Sequence, residues 1–376
     1  MKTLFKVILG LKERGLIPDF YMRLMLRWMC WMWARRLSCY GDVEKQMQYK
    51  MSYVNKLKVA EGAIKQNEAN EQHYEVPTTF FQTCLGPWMK YSCGLWESQT
   101  RTLQQSEEAM MKLACDRARI SDGGLRVLDL GCGWGSMALF IAKQFPTNRV
   151  TALSNSRTQR EFILQRAKDM GLTNVEVITA DASVFEFPES PDFDRIVSNE
   201  MLEHMKNYET TFKKIASWLK PDGILFIHVL GNRRFAYSFN GGSDDWMGKY
   251  FFAGGTMPSE DLFSFFMPSS LKIENMWRVS GVHYQKTLNA WLRRLDTKEN
   301  TRAALKALEG DATKNARLAL GRWRIFFLFC AEVFGFNNGS DWLVLHYCYR
   351  RRSLECGAVT SNSRDVAPSP STELHH

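Results

Sequence analysis

Two carboxylates and an imidazole stand within five residues of one another at the end of a predicted strand, FDRIVSNE. If a helix begins there, Glu200, Glu203 and His204 lie on one helical face, because residues three and four apart are neighbours. Side chains of these types can attract a cationic substrate and accept a proton from it, which is the role of a general base. The alternative interpretation is a structural Glu–His pair at a helix start.

A glycine-rich turn joins a predicted strand to a predicted helix that begins near Ser136, with the sequence VLDLGCGWG at residues 127–135. Gly131 and Gly133 allow the backbone to turn sharply and to approach a ligand closely, and the helix start offers free N–H groups. The spacing G-x-G-x-G differs from the dinucleotide pattern G-x-G-x-x-G, and Asp129 would repel a pyrophosphate. A carboxylate at this edge suits the α-ammonium group of S-adenosylmethionine, which we predict as the cofactor.

Later strand ends should complete the cofactor pocket, because ligands of open parallel sheets bind beyond the carboxyl edge. Ser154 and Asn155 can hydrogen-bond ribose hydroxyls, and Asp181 can accept from the adenine amino group. For Asp181 a helix N-cap is the alternative role, and the two roles are compatible. The residues that we assign to these strand ends are Ser154, Asn155, Gln159, Asp181, Ala182 and Asn199.

An aromatic cluster on an irregular segment, residues 244–258, is a candidate wall of the substrate pocket. Phe251 and Phe252 stand beside two glycines and could hold a flat or cationic substrate against a ring face. The alternative is a hydrophobic plug between cap and core. His228 ends a predicted strand and could touch substrate, although a buried, satisfied histidine is an equal alternative. Tyr284 could donate a hydrogen bond across the pocket or pack in the cap as a strand residue.

Short apolar runs alternate with helical stretches after residue 125, which predicts an α/β fold with parallel strands and crossover helices. The expected strands are RVLDLG, RVTALS, VEVITAD, FDRIVSNE and GILFIHVL, with a returning strand at residues 341–349. We expect a Rossmann-like class I methyltransferase core that binds the cofactor at residues 119–230. Around it we predict a basic helical region (1–60), a helical cofactor-covering segment (61–118), a substrate cap with the returning strand (231–352) and a disordered tail (353–376).

The net charge has a local origin. The 376-residue chain has a formal charge of +9, but residues 1–58 alone hold twelve Lys/Arg against four Asp/Glu. We therefore expect no nucleic-acid partner, since the rest of the chain is nearly neutral. The nine cysteines are odd in number and form no C-x-x-C, which argues against a zinc ribbon or a disulfide framework. No metal and a cytoplasmic location are expected.

The basic N-terminal region has apolar residues at helical spacing from Leu4 to Leu37, and Pro18 divides it into two predicted helices. One interpretation is attachment to an anionic membrane surface or a partner. We favour a helical lid that packs on the body with its arginine face in water. The most apolar run, residues 24–34, is broken by Arg27, so no transmembrane helix is expected. A weak peripheral membrane contact through this region and a homodimer stay open.

Longer motifs show a family resemblance. The chain resembles the cyclopropane-fatty-acid-synthase-like methyltransferases, and among them it looks most like the coclaurine N-methyltransferase branch. The match extends from about residue 69 to residue 352 and is far more specific than the glycine motif. It rests on the segments HYEVPTTFF, YSCG, LDLGCGWGS, NEMLEHMKNY, KYFFAGGTMPS, SGVHYQKTLNAWLRRLD and FGFNNGSDW.

The resemblance also implies roles for individual residues. It supports Glu200 and His204 as an acid–base pair with Glu203 as their neighbour. It further implies contacts with S-adenosylmethionine for residues of the irregular segment 73–96 and of the core, namely Tyr74, Tyr91, Ser92, Gly131, Gly133, Ser154, Gln159 and Asp181.

In the fatty-acyl branch of this family, the position matching Glu200 looks like glycine, which leaves room for a bound bicarbonate base. The side chains that help to hold the bicarbonate match Cys93, Glu203, His228 and Tyr284. Of these we assign Cys93, His228 and Tyr284 to the substrate pocket. In this chain Glu200 would place its own carboxylate where the bicarbonate sits, and this favours the amine branch.

These observations predict an S-adenosylmethionine-dependent N-methyltransferase that acts on a small amine of aromatic or alkaloid-like character. A fatty-acyl phospholipid methyltransferase or cyclopropane synthase is the first alternative. A non-catalytic, cofactor-binding regulator of a partner is the second, against which the full set of Glu200, Glu203 and His204 argues.

Overall fold

A seven-stranded sheet lies at the centre of the protein, whose computed structural model describes residues 2–60, 76–188, 192–239, 245–309 and 315–353. The strand order is β3-β2-β1-β4-β5-β9-β8. The strands are β1 (Arg126–Leu130), β2 (Arg149–Ser154), β3 (Val175–Thr179), β4 (Phe193–Asn199), β5 (Leu219–Asn232), β8 (Leu271–Val279) and β9 (Trp342–Arg351), and a separate hairpin is formed by β6 (Tyr237–Ser238) and β7 (Thr256–Met257).

The sheet changes direction at β1. This strand pairs in parallel with β2 on one side and with β4 on the other, so the chain winds outward in both directions from the β1/β4 boundary. Strand β5 continues the parallel set, whereas β9 runs antiparallel to both β5 and β8. Ligands of open α/β sheets bind at such a switch point, beyond the carboxyl ends of the strands. The topology therefore places the ends of β1, β2 and β4 at one crevice.

Helices cover both faces of the sheet and extend over the crevice. Those that cross between parallel strands have one apolar side against the sheet, as in the helix Ser136–Gln144, where Ala138 and Ile141 are completely buried. The helices are α1 (Lys2–Glu13), α2 (Asp19–Leu37), α3 (Val43–Lys58), α4 (Thr78–Cys84), α5 (Leu103–Ala118), α6 (Ser136–Gln144), α7 (Arg157–Asp169), α8 (Tyr208–Trp218), α9 (Trp246–Tyr250), α10 (Gly281–Leu295), α11 (Lys298–Leu308) and α12 (Ala316–Gly335).

The N-terminal helices form a lid, but the lid is oriented differently from the prediction. Arg23 and Arg27 of α2 donate to the two carboxylate oxygens of the buried Glu332 on α12, at 2.5 and 2.6 Å. These two arginines therefore hold α2 on the body instead of forming a face directed wholly into water. Trp28 and Trp31 on the same helix are 48% and 45% exposed. The ion pairs compensate for the burial of the Glu332 carboxylate, which would otherwise be costly.

The α/β class and its core strands are as predicted, including the returning strand β9. The prediction missed β8 and the short hairpin. The alternative interpretation of Tyr284 as a strand residue is wrong, because this residue lies in α10. A helix beginning at residue 200 is also not found, since the segment forms only a 3₁₀ turn, Leu202–His204. Residues 61–75 and the predicted tail from residue 354 onward lie outside the described ranges.

Among the residues that the structure describes, none of the helices combines the length and apolarity needed to cross a membrane.

Candidate active site

A cavity of about 1620 Å³ opens at the carboxyl ends of β1, β2 and β4 and continues beneath the N-terminal lid. Pockets for small ligands usually measure about 300–1000 Å³, so this one can hold a cofactor and a substrate together. The predicted cofactor residues that line it are Tyr91, Ser92, Asp129, Gly131, Gly133, Ser154, Asn155, Gln159, Asp181, Ala182 and Asn199. Tyr74 lies outside the described residues.

Asp129 provides a buried carboxylate with unused capacity at the end of β1. Its Oδ2 atom accepts a hydrogen bond from the backbone N–H of Ala138 at 3.0 Å, whereas its Oδ1 atom has no hydrogen-bond partner in the part of the chain that the structure describes. Burial raises the pKa of Asp129 from 3.8 to about 7, because the charged form is desolvated. A positively charged ammonium group would supply the missing partner. This orphaned oxygen fits the α-amino group of S-adenosylmethionine.

The glycine turn after β1 is shaped for close approach. Gly131 has a φ of +78°, and a Cβ atom at this residue would stand 2.3 Å from the side chain of Met201. Gly133 has a φ of +52°, and a Cβ atom there would meet nothing within 4 Å. The open space faces the cavity, which Gly133 lines. The turn thus needs glycine for its conformation and leaves room for a ligand beside the helix start.

The polar groups that follow β2 and β3 are partly occupied by hydrogen bonds within their own segments. Ser154 donates to Oε1 of Gln159 at 2.6 Å and accepts from the backbone N–H of Ser156 at 3.1 Å. Asp181 accepts from the backbone N–H of Ser183 at 2.8 Å in a turn. The alternative role as a helix N-cap is wrong, because no helix begins in the described residues 180–188. Asn155 lines the cavity next to Ser154. Ribose contacts by Ser154 would therefore share its hydroxyl with Gln159.

A buried lysine that sequence reasoning missed organises the segment before α5. The ammonium group of Lys90 donates to Oγ of Ser92 and, at 2.9 Å, to the carbonyl oxygen of Cys93. Lys90 is 3% exposed, and burial lowers its pKa. The ring of the neighbouring Tyr91 lies between Phe81 and Trp291, with centroids at 5.2 and 5.5 Å. No sequence motif marks a lysine of this kind, because its partners are backbone and hydroxyl groups of a loop.

The carboxylate of Glu200 receives hydrogen bonds from three different parts of the chain. Tyr284 of α10 donates its hydroxyl to Oε2 at 2.6 Å. The backbone N–H of Cys93 donates to Oε1 at 3.2 Å, and Nε2 of His228 lies 3.2 Å from the same oxygen. Burial raises the pKa of Glu200, while nearby Lys90 and the hydrogen bonds from Tyr284 and Cys93 oppose this shift. Glu200 also lines the cavity.

Backbone geometry fixes where this carboxylate points. Glu200 has a left-handed φ of +48°, which is unusual for a residue other than glycine. Its backbone N–H donates to the carbonyl oxygen of His228 at 2.8 Å, so the end of β4 is tied to β5. Strained backbone of this kind persists only where the surroundings hold it, and such positions concentrate at functional sites.

Glu203 lies in the 3₁₀ turn and is a different kind of carboxyl. It lines the cavity but is 1% exposed, and its Oε2 atom has no hydrogen-bond partner among the described residues. Burial and the nearby charge of Glu200 raise the pKa of Glu203 well above its usual range. Because each ionised carboxyl disfavours ionisation of the other, these directions favour Glu200 as the carboxyl that ionises first.

His204 meets one residue of the predicted aromatic wall at the cavity surface. The imidazole lies against the ring of Phe252, with 4.9 Å between centroids, and both residues line the cavity. Phe251 lies elsewhere, because it is buried and stacks on Phe326 at 4.5 Å in the hydrophobic core. Phe251 thus corresponds to the hydrophobic plug that was the alternative interpretation, whereas Phe252 lies at the wall.

Cys93 and His228, predicted for the substrate pocket, are placed behind Glu200 and bind its carboxylate. His228 continues into two further residues that sequence reasoning missed, His346 of β9 and Arg117 of α5. These come from segments more than a hundred residues away from His228, and their own sequence surroundings carry no motif. In the described ranges, no group of three or more His, Cys, Asp or Glu side chains is arranged to hold a metal ion.

Comparison with known proteins agrees with this geometry. The model of the mycolic acid cyclopropane synthetase family matches residues 62–339 of the chain. A relative, (S)-coclaurine N-methyltransferase of Thalictrum flavum subsp. glaucum, is 35% identical over 357 residues, which cover 93% of this chain and 97% of the relative. Cyclopropane-fatty-acyl-phospholipid synthase of Escherichia coli strain K12 is 31% identical over 60% of this chain and 55% of its own length.

Solved structures show the same relationship. The crystal structure of coclaurine N-methyltransferase bound to N-methylheliamine and S-adenosylhomocysteine matches with a TM-score of 0.85 and 33% identity, covering 93% of this chain and all of that one. Mycolic acid cyclopropane synthase CmaA1, complexed with S-adenosylhomocysteine, has a TM-score of 0.63 at 23% identity and so supports the fold alone; it covers 77% of this chain and 99% of that one. The chain thus belongs to the mycolic acid cyclopropane synthetase family and is an S-adenosylmethionine-dependent N-methyltransferase.

Proposed function

We propose that this enzyme methylates the nitrogen of a small, aromatic or alkaloid-like amine, with Glu200 and His204 as its acid–base pair. The observation that carries the proposal is the carboxylate of Glu200, buried at the cavity wall and held by Tyr284, Cys93 and His228. A carboxylate fixed by three donors is oriented without any contribution from substrate. The relatives named as N-methyltransferases of alkaloids support the amine class.

The charge of the cavity suits a cationic substrate. Among the described residues that line it, six carry a carboxyl group (Glu13, Asp129, Asp181, Glu200, Glu203 and Asp245), whereas two, Arg36 and Lys249, carry a cationic side chain. An aliphatic amine is mostly protonated at neutral pH and would be drawn to such a cavity. The same carboxylates would support the positive charge that the nitrogen gains during methyl transfer.

The chemistry assigned to the chain is removal of one proton. A protonated amine has no free lone pair, so it must lose a proton before it can attack a methyl group. Burial raises the pKa of Glu200 to about 7, so its carboxylate is suited to accept that proton. His204, which lies against Phe252 at the cavity wall, would assist. When bound, S-adenosylmethionine supplies a sulfonium methyl group, which is transferred with its bonding electrons left on sulfur. The aromatic ring of Phe252 would stabilise a cation on its face.

The fatty-acyl alternative is less well supported by the contacts around Glu200. Cys93, His228 and Tyr284, which match the residues that help to hold bicarbonate in the fatty-acyl branch, are all hydrogen-bonded to the Glu200 carboxylate. A separate anion would have to compete with that carboxylate for the same donors. The non-catalytic alternative has no observation in its favour.

A peripheral membrane contact is a second proposal, and one surface supports it. Phe20, Leu24, Trp28 and Trp31 of α2 are spaced by three or four residues and are 45–65% exposed, so they form one apolar stripe. The guanidinium of Arg35 lies over the Trp31 ring at 5.0 Å. Exposed tryptophans beside basic residues are typical of membrane–water interfaces. A cytoplasmic location and a homodimer stay predictions.

The test of the main proposal is incubation of the enzyme with isotopically labelled S-adenosylmethionine and a substrate panel, followed by mass spectrometry. The panel contains benzylisoquinolines, tryptamines, phenethylamines and unsaturated phospholipids. We expect label in one amine class, and a Glu200→Gln variant with about ten- to a thousandfold lower turnover but similar cofactor affinity. Label in the phospholipids alone, or a Glu200→Gln variant with normal turnover, would contradict the proposal.

A further inference from the structure

Four side chains form a hydrogen-bonded chain that connects the cavity with helix α5. His228 of β5 and His346 of β9 are register partners, and their rings are joined by a contact of 2.9 Å between Nδ1 of His228 and Nε2 of His346. At one end, Nε2 of His228 lies 3.2 Å from Oε1 of Glu200. At the other end, Nδ1 of His346 lies 2.6 Å from Nη1 of Arg117 on α5.

The chemistry of arginine sets the direction of every hydrogen bond in this chain. A guanidinium group has only donors, so Nδ1 of His346 must be the acceptor of the bond from Arg117. In a neutral imidazole the other nitrogen then carries the proton, and Nε2 of His346 donates to Nδ1 of His228. By the same step Nε2 of His228 carries a proton and donates to Oε1 of Glu200.

The two imidazoles are neutral and the guanidinium is charged. His228 and His346 are 1% and 0% exposed, and burial lowers the pKa of each well below its usual range. Burial lowers the pKa of Arg117 to about 10, which still leaves it protonated at neutral pH. Its guanidinium also lies over the Trp277 ring at 4.7 Å, so it is held in place from a second side. The chain therefore runs from a fixed cation to the Glu200 carboxylate.

We propose that Arg117 and His346 are positioning residues that force His228 to donate its Nε2 proton to Glu200 during N-methyl transfer. This inference rests on the proposed role of Glu200 as the base. It has a consequence for the two carboxylate oxygens. Among the described residues, Oε1 accepts from His228 and from the backbone N–H of Cys93, whereas Oε2 accepts from Tyr284 alone. Oε2 is therefore the oxygen that takes the proton of the amine.

The hydrogen-bonded chain orients the Glu200 carboxylate but does not conduct the proton that Glu200 accepts. Outward transfer from Glu200 would require Nε2 of His228 to become an acceptor and would end at Arg117, which has no lone pair to accept a proton. The proton taken from the amine must therefore leave through the cavity, which Glu200 lines.

Other charged and titratable groups also face Glu200, and a change at Arg117 leaves them in place. Lys90 lowers the pKa of Glu200, as do the hydrogen bonds from Tyr284 and Cys93, while burial raises it. The groups on neighbouring elements that interact with Glu200 are Lys90, Tyr91, Cys93, Glu203, Tyr284 and Cys330. A shift of the pH profile that follows substitution of Arg117 alone can therefore be assigned to the hydrogen-bonded chain.

The first experiment measures the pH dependence of kcat, from pH 6 to 9.5, in the full-length enzyme with its amine substrate. Because the hydrogen-bonded chain favours the ionised form of Glu200, Arg117→Met should move the rising limb of the kcat profile to higher pH. We expect kcat about tenfold lower at pH 6.5 and within about twofold of the wild type at pH 9, with both KM values nearly unchanged. Arg117→Lys retains a donor and a charge and should keep most of the activity that Arg117→Met loses.

Lys112→Met is the matched control, since Lys112 lies on the same helix but pairs only with the exposed Asp116 among the described contacts. It should leave the profile unchanged. An Arg117→Met enzyme with the wild-type profile, or with kcat lowered equally at every pH, would overturn the inference. If Glu200→Gln also keeps normal turnover, the proposed function is contradicted as well. If Glu200→Gln is inactive, only the inferred role of Arg117 and His346 is contradicted.

A second measurement does not depend on enzyme activity. In ¹⁵N-histidine-labelled wild-type enzyme at pH 7.5, long-range ¹H–¹⁵N spectra report which ring nitrogen carries the proton. Both His228 and His346, assigned by His228→Gln and His346→Gln variants, should be protonated at Nε2 and bare at Nδ1. Protonation of either ring at Nδ1, or of both nitrogens, would overturn the inference.

Discussion

The hydroxyl of Tyr284 donates to Oε2 of Glu200 at 2.6 Å, and the two residues are 84 positions apart in sequence. Tyr284 lies in the first turn of α10, beneath the N-terminal lid, while Glu200 ends β4 in the core. This bond therefore joins the cap to the sheet at the carboxylate that we assign as the base. It also stabilises the charged form of Glu200, because a hydroxyl donates a stronger hydrogen bond to a carboxylate than to a neutral carboxylic acid.

Replacing Tyr284 by phenylalanine removes this donor and keeps the ring. We expect kcat for the amine to fall about ten- to a hundredfold at neutral pH, which is the effect of losing a hydrogen bond to a charged group. The rising limb of the kcat profile should move to higher pH, since the pKa of Glu200 loses one of the influences that lower it. Steady-state kinetics across pH 6 to 9.5 measure both effects.

Tyr347→Phe is the control for this substitution. Tyr347 is buried and donates its hydroxyl to the carbonyl oxygen of Glu260 at 2.8 Å, away from the carboxylate of Glu200. Equal losses of kcat in the two variants would mean that Tyr284 acts only through stability.

We expect Asp129 to make cofactor affinity depend on pH. Its pKa is raised by burial to about 7, and an ammonium group pairs favourably only with the ionised carboxylate. The affinity for S-adenosylhomocysteine should therefore rise about tenfold between pH 6 and pH 8. In Asp129→Asn this rise should be lost, and the dissociation constant should be roughly ten- to a hundredfold larger at pH 8. Isothermal titration calorimetry at several pH values measures both.

The stability of the ligand-free protein should change in the opposite direction. Folding raises the pKa of Asp129 from 3.8 to about 7, so between these values the folded state binds a proton that the unfolded chain has released. The contribution of this group to stability is thus lost as the pH rises through that window. Glu107 has a pKa raised by burial to about 7 and should contribute in the same sense.

Glu107→Gln is consequently a matched control for Asp129→Asn. Both carboxyls are buried with similar pKa values, but Glu107 accepts from the backbone N–H of Trp88, whereas Asp129 lines the cavity. Both variants should reduce the pH dependence of the melting temperature. Only Asp129→Asn should remove the pH dependence of cofactor binding, and its loss in Glu107→Gln would contradict the assigned role of Asp129.

Local sequence patterns predict the core of this protein because the core is built from local elements. The strand and turn at residues 126–135 show an apolar run followed by glycines, and the structure has β1 and a left-handed turn there. Strand β8 was missed because it lies at the sheet edge, where most of its side chains are exposed and no apolar pattern is needed.

The contacts of Glu200 could be predicted only in part. Family resemblance brought Cys93, His228 and Tyr284 to one site, but it could not show that they bind Glu200. Arg117 and His346 escaped prediction altogether. Their meeting depends on the register of β5 against β9 and on the packing of α5, and neither leaves a periodic or spaced signature in the sequence.

The apolar stripe of α2 should bind anionic vesicles. In co-sedimentation with vesicles containing phosphatidylserine, the wild type should bind in a salt-sensitive manner, because its N-terminal region is basic. Leu24→Ser with Trp31→Ser removes two exposed apolar side chains from the stripe and should reduce the bound fraction at least about fivefold. Phe265→Ser, an exposed phenylalanine on the body, should leave binding unchanged. Equal binding of all three proteins would exclude this surface as a docking site.

Replacing Glu200 by glycine should create a rescuable enzyme. Glycine accepts the φ of +48° at this position without strain, so the turn is expected to persist while the carboxylate is removed. The N–H of Cys93, Nε2 of His228 and the hydroxyl of Tyr284 then surround a space that held an anion. Bicarbonate added at millimolar concentration should restore amine turnover at least about tenfold over the unsupplemented variant. The double variant Glu200→Gly/Tyr284→Phe lacks one of the three donors and should respond more weakly. If bicarbonate leaves Glu200→Gly inactive while the cofactor still binds, these donors do not form an anion site of their own.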